Sequence, residues 1–125
     1  MCKVSVVAAA VLGVAFVMPS MAQDATKVDA KHYKVEFEND QVRILRINYG
    51  PKEKSVMHEH PNAVAVYLTD GKVKFTLPDG KIIESVAKAG QSQFTRAGKH
   101  VPENAGDKNF ELVLVELKGK PAAGK

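Results

Sequence analysis

The sequence predicts an all-β fold, a single small antiparallel sandwich or barrel, on three observations. The text after residue 31 breaks into eight short extended segments separated by turn residues. Two Asp-Gly dipeptides mark tight turns. No stretch carries the 3.6-residue apolar period of an amphipathic helix. With 125 residues there is room for one small domain.

The first 22 residues are set apart from that domain. Met1-Cys2-Lys3 is a short positive start, Val4 to Val17 is unbroken apolar sequence, and Pro19-Ser20-Met21-Ala22 ends in small residues. This is the layout of a secretory signal peptide over 1–22, with cleavage expected after Ala22 and a periplasmic or secreted destination. Fourteen helical residues reach about 21 Å against a hydrocarbon core of about 30 Å, so no stable membrane anchor is expected. The only cysteine, Cys2, lies in this segment. The exported chain then has no disulfide and no thiolate, and any metal site must use His, carboxylate, amide or water.

Residues 23–31 (QDATKVDAK) are polar and unpatterned, and they read as a flexible lead-in. The domain follows over 32–117, and 118–125 (KGKPAAGK) reads as a flexible tail. The strands expected are Tyr33–Phe37, Val42–Tyr49, Val56–His60, Ala63–Thr69, Lys72–Leu77, Lys81–Val86, Ser92–Thr95 and Phe110–Leu117. With Asp70-Gly71 as a two-residue turn, Leu68 faces Val73, Val66 faces Phe75 and Val64 faces Leu77. Val64, Val66 and Phe75 then line the interior. Ala63, Ala65 and Tyr67 point outward, a low-charge sheet face through which two copies could pair. Counting back by twos from Val64, across Pro61, turns His60 and His58 inward. Carried through the second turn, Asp79-Gly80, this register aims Glu84 at the core, so a one-residue slip that turns Ile83 inward is preferred.

Lys and Arg number 18 against 14 Asp and Glu, a formal charge of +4, and loss of 1–22 removes one lysine and no acid. The basic residues are scattered rather than gathered in a stripe with aromatics, so nucleic acid is not an expected partner. No nucleophile elbow, phosphate loop or HExxH sequence is present, which removes the usual hydrolase and nucleotide readings. Two of the four histidines, His58 and His60, are separated by one residue. Side chains two apart on a strand project the same way with Cα atoms about 6.6 Å apart, a span from which two imidazoles converge on one ion. His32, next to the lead-in, reads as a surface residue.

Gly50, His58, His60 and Gly71 resemble the first motif of the cupin superfamily. The segment from Gly90 through Gly98 and His100 to Asn104 is similar to the second. The resemblance spans roughly residues 42–117 and implies a double-stranded β-helix, or jelly-roll, barrel. It implies a divalent metal (Zn, Fe, Ni or Mn) held by His58, His60 and His100. Val64 stands in the slot that holds a glutamate in that pattern. Gly50 lies two residues farther from His58 than usual, Arg96 replaces a typical Pro, and the gap from Gly98 to His100 is one residue short. With three histidines and no carboxylate, an anionic or chelating small-molecule ligand is favoured; Gln93, Glu84 and Glu103 are the candidate replacement acceptors, with Gln93 lining the pocket. The resemblance leaves two readings. One is a metal-dependent dioxygenase or isomerase acting on a small organic acid. The other is a metal-free binding or structural cupin in which Val64 records a lost site. A homodimer is expected in either case.

Overall fold

A computed structural model describes residues 23–119. A one-turn helix, α1 (Ala25–Val28), precedes nine strands: β1 (Tyr33–Glu38), β2 (Val42–Tyr49), β3 (His58–His60), β4 (Ala63–Tyr67), β5 (Gly71–Thr76), β6 (Ile82–Ala87), β7 (Ser92–Thr95), β8 (Gly98–Asn104) and β9 (Phe110–Leu117). They form two antiparallel sheets, a five-stranded one in the order β1-β2-β9-β4-β7 and a four-stranded one in the order β3-β8-β5-β6. The all-β prediction holds, and the fold is a double-stranded β-helix. The expected signal segment 1–22 and most of the expected tail lie outside the described residues.

The core is built mainly on the five-stranded sheet. Leu45, Ile47 and Tyr49 of β2, Ala63 and Ala65 of β4, and Phe110, Leu112 and Leu114 of β9 are all buried. Their period of two sends alternate side chains to the inner face. The four-stranded sheet is more open: on β6, Ile82, Ile83 and Val86 are 60%, 47% and 65% exposed. Between the sheets lies a cavity of about 360 Å³.

The hairpin expected at Asp70-Gly71 does not form. β4 pairs with β7 and β9, whereas β5 pairs with β6 and β8, so the chain crosses from one sheet to the other between Tyr67 and Gly71. Asp70 instead accepts a hydrogen bond from the Ala89 amide. Gly71 is needed for a close approach: a Cβ there would lie 2.3 Å from the Phe110 ring. The consequence for β4 is a reversal of faces. Ala63, Ala65 and Tyr67 turn inward, and Val64 and Val66, expected to line the pocket, turn outward and do not line it. The histidines still face inward, because the parity changes at Pro61-Asn62, where the chain passes from the four-stranded to the five-stranded sheet. A turn forms at the second dipeptide, but with three residues, Pro78-Asp79-Gly80, in place of the expected two: the Leu77 amide donates to the Lys81 carbonyl, and Gly80 takes φ 86°. The preferred slip is also present: Phe75 pairs with Ile83, and Lys74 pairs with an exposed Glu84.

The lead-in is tied down rather than frayed. Asp24 caps α1 through the Thr26 amide, Ala25 is fully buried, and the Glu59 amide donates to the Gln23 carbonyl. At the other end, the Lys118 amide donates to the Gln41 carbonyl. His32 is not on the surface. It is 7% exposed, stacks on Tyr49 at a centroid distance of 4.3 Å, and bonds through Nδ1 to Asp29.

Candidate metal centre

Three histidines meet beside the cavity, His60 and His100 in its lining and His58 fully buried next to them. His58 and His60 lie two apart on β3 and point the same way. β8, a strand the sequence reading missed, places His100 directly opposite His58 in the antiparallel register. A pair two apart on one strand plus a cross-strand partner brings three rings within reach of one point. Ring centroids are 4.7 Å (His58–His60), 5.0 Å (His58–His100) and 5.4 Å (His60–His100) apart. One ring nitrogen of each lies within 4.8 Å of the others. His100 also stacks on Phe75, with centroids 5.1 Å apart.

The hydrogen bonds behind two of the rings decide which nitrogens face inward. His58 Nδ1 lies 2.9 Å from the Val56 carbonyl, which can only accept, so the proton is on Nδ1 and the Nε2 lone pair is free. His60 Nδ1 lies 2.6 Å from Glu116 Oε2 and donates to it in the same way. Nε2 of His58 and Nε2 of His100 are buried without any hydrogen-bond partner. Orphaned buried polar atoms are costly and uncommon in folded proteins, and a pair of them aimed at one place is what a metal would satisfy. Burial, reinforced by the neighbouring His60, pulls the imidazolium of His58 down to about 4. Burial with His60 and His58 beside it pulls that of His100 to about 3. Both rings are therefore neutral at pH 7, the form that binds metals. The residues present fit a divalent ion held by three imidazoles with open positions toward the cavity.

Glu116 was not singled out by its motif, yet it is 2% exposed and holds both His60 and Arg43. Arg43 Nε donates to Glu116 Oε1 at 2.6 Å, and its terminal nitrogens grip Asp24 at 2.6 and 3.0 Å. Burial alone would raise both carboxyls. The hydrogen bonds from His60 and Arg43 outweigh it and hold Glu116 below the usual range; those from Arg43 and Thr26 hold Asp24 at about 2. A signal for these residues exists in the text. Period-two alternation puts Glu116 on the face of Phe110, Leu112 and Leu114, and Arg43 on that of Leu45 and Ile47.

Behind His58 runs a second polar network. Ser55 Oγ sits 3.3 Å from His58 Nδ1 and donates to Asp29, which also receives His32. The hydroxyls of Tyr33 and Tyr49, both facing the cavity, bond to each other, and burial pushes both phenols above their ordinary range. Asn104, 1% exposed, accepts from the Gly106 amide, and its amide group lies within bonding distance of the Tyr49, Gly50 and Lys108 carbonyls. It fastens the loop after β8 to the end of β2. Of the candidate replacement acceptors, Glu84 is exposed and pairs with Lys74. Gln93 and Glu103 line the cavity, and Gln93 accepts from the Tyr67 hydroxyl. Among the described residues, no acid joins the cluster of three histidines.

The cavity's remaining walls are mostly apolar: Tyr67, Phe75, Phe110, Leu112 and Leu114, with Ala65 and Ala87. Arg96 and Lys99 also line it and form no ion pair among the described residues. A volume of this size suits a small organic molecule.

Among solved structures, the chain is similar to a cupin-domain protein from Bordetella pertussis, with 26% identity and a TM-score of 0.65 over 70% of this chain and 92% of that one. It is also similar to a double-stranded β-helix protein from Klebsiella pneumoniae (20% identity, TM-score 0.57, 70% and 76% covered). A polyketide cyclase from Streptomyces resistomycificus shares the fold at 18% identity and a TM-score of 0.50, with 71% and 66% covered. No curated protein matches. The family model for the cupin domain matches residues 45–116, more than half of the sequence and the part that carries all three histidines, and the chain therefore belongs to the cupin family.

Proposed function

We propose that this is an exported cupin that holds a divalent metal ion through Nε2 of His58, His60 and His100 and presents it to a small organic acid in the cavity. The observation that carries the reading is the pair of buried, unpartnered Nε2 atoms on His58 and His100. Three neutral imidazoles leave the ion's charge unneutralised, which favours an anionic or chelating ligand. Arg96 in the lining adds positive charge, and the aromatic walls favour an acid with an apolar body.

A bound ion would supply Lewis acidity at the ligand's oxygens and, where it is redox-active, a route to dioxygen; a dioxygenase or isomerase is the enzyme class that fits best. The protein's own share is positioning and exclusion of water. Of the two phenols, kept as hydroxyls, one donates to the other, which leaves a single O–H for a ligand oxygen, and Phe75 and Leu112 dry the site. Metal content of protein purified without an affinity tag tests the reading. About one equivalent of a single metal is expected, and His60→Ala should lose more affinity than the about 10–100-fold that outer partners of metal ligands typically cost. A chain that takes up no metal in either form returns the site to the metal-free reading, a binding module for a small apolar acid, which the mostly apolar cavity also favours.

The homodimer belongs to the same proposal, but through a different face from the one read in the sequence. Paired across all five strands, Phe37, Ile44, Val115, Val64 and Phe94 form an apolar row on the outer side of the larger sheet, with Phe37 and Phe94 more than half exposed. Of the charges that flank the row, Arg46 is balanced by Glu36 and Glu111 and Lys118 by Glu38, while Lys34, opposite Arg46, has no ion-pair partner among the described residues. A second identical face then meets mostly apolar surface whose flanking charges are largely paired already, a condition that favours a two-fold interface. Sedimentation equilibrium should show a dimer that Val64→Lys turns into a monomer; a monomeric wild-type chain would remove this part.

A further inference from the structure

The absent acid of the ligand set has a counterpart one step back. The slot residue Val64 faces outward, and its inward neighbours are Ala63 and Ala65, which offer no oxygen. Behind His60, however, a carboxylate occupies an inward position on β9, in line with Phe110, Leu112 and Leu114, where an apolar side chain would pack without cost. Both of its oxygens are engaged, Oε2 by His60 Nδ1 and Oε1 by Arg43 Nε, each at 2.6 Å. Arg43 is fixed in turn by two bonds to Asp24. The result is a line of four groups, Asp24–Arg43–Glu116–His60, that runs from the N-terminal segment to the cavity. Behind His58 the nearest carboxylate is one group farther off: its Nδ1 is met by the neutral Val56 carbonyl and, at 3.3 Å, by the Ser55 hydroxyl, which donates to Asp29.

Burying a carboxylate and a guanidinium together costs about as much as their attraction returns, so such a pair is poorly explained by stability alone. A carboxylate that receives the outer N–H of a ligating imidazole orients the ring, fixes its tautomer and makes its other nitrogen a better donor. We infer that Glu116 is the positioning residue of the site: it sets His60 with Nε2 toward the cavity and supplies, from behind the ring, the negative charge that the three-histidine set lacks, while Arg43 and Asp24 hold Glu116 in place. This inference rests on the metal reading above. It gives the N-terminal segment a role in the site, through Asp24, that its distance along the chain conceals.

The test uses the full chain, stripped with a chelator and titrated with Zn²⁺ against a chromophoric competitor. Glu116→Gln keeps shape and a hydrogen-bond acceptor but removes the charge, and Zn²⁺ affinity should fall about 10–100-fold. Asp24→Asn, at the far end of the line, should cause a smaller loss. Ring ¹⁵N shifts of His60 in the metal-free protein give a readout that a merely structural tie would not move. The wild type should show a single Nδ1–H tautomer and Glu116→Gln a mixture of both. Unchanged affinity and an unchanged tautomer in a folded Gln variant would overturn the inference. If that variant does not fold, Asp24→Asn decides by the same two readouts. A wild-type chain that binds no Zn²⁺ defeats the metal reading instead, and the tautomer comparison then decides whether Glu116 holds His60.

Discussion

The two sheets divide the work of the site. The four-stranded sheet carries all three histidines, two on β3 and one on β8, and its outer strand β6 is loosely covered, with Ile82 and Val86 mostly in solvent. The five-stranded sheet carries no ring of the cluster. It supplies Glu116 from β9 and Arg43 from β2, together with most of the packed core. One sheet presents the ligands and the other holds them at their angles. Neither makes a site alone, and the geometry around His60 exists only once the sheets have closed on each other.

This division predicts unequal tolerance. Leu45 of β2 is fully buried, whereas Val86 of β6 is 65% exposed. Leu45→Ala should cost about 2–5 kcal/mol, through lost burial and the cavity it leaves. Val86→Ala should stay within about 0.5 kcal/mol. Chemical denaturation of the metal-free protein measures both. Comparable losses at the two positions would mean that the four-stranded sheet is as firmly packed as its partner and would erase the contrast.

The same division explains what could be read from the sequence. His58 and His60 are legible because their relation is local: residue spacing fixes it once the segment is extended. The strands on either side are legible for the same reason, and so is the slip at Asp79-Gly80, where the alternative buries a bare carboxylate. Pairing across the chain is a different matter. Asp70-Gly71 has the chemistry of a tight turn, but Gly71 is there because Phe110 leaves no room for a Cβ, and nothing near Gly71 announces a ring 39 positions later. The reversed faces of β4 follow from that one misreading, and the inward histidines were reached in spite of it because Pro61-Asn62 reversed the parity again. β8 was hidden by Gly98 and Pro102, residues that ordinarily break strands. His32 and α1 were hidden by polar composition, since ion pairs and a stacked ring hold them, not an apolar pattern. Glu116 lies 56 residues from His60, and only the alternation of β9 hints that it faces inward.

Acid should separate the two halves of the site in the metal-free protein. His58 and His100 protonate near 6.5 when unfolded but only near 4 and 3 when folded. Between those values the unfolded chain binds more protons, so stability is complete above about pH 6.5 and declines as the pH falls toward 3. Each ring contributes at most about 1.4 kcal/mol per pH unit. Asp24 and Glu116 start lower. Their folded pKa values lie below the unfolded 3.8 and 4.5, so their contribution is intact above that range and is lost beneath it, for Asp24 down to about 2. Melting temperature in chelator should therefore be level above pH 7, begin to drop near 6.5 on account of the histidines alone, and steepen below about 4.5 as the carboxylates join. His100→Gln should flatten the upper part of the curve and leave the lower part, while Glu116→Gln should do the reverse. A wild-type curve that stays level down to pH 4.5 would mean that the buried rings accept protons as easily as free ones, and the opposition between a ligand-bearing sheet and a charge-bearing sheet would lose its electrostatic basis.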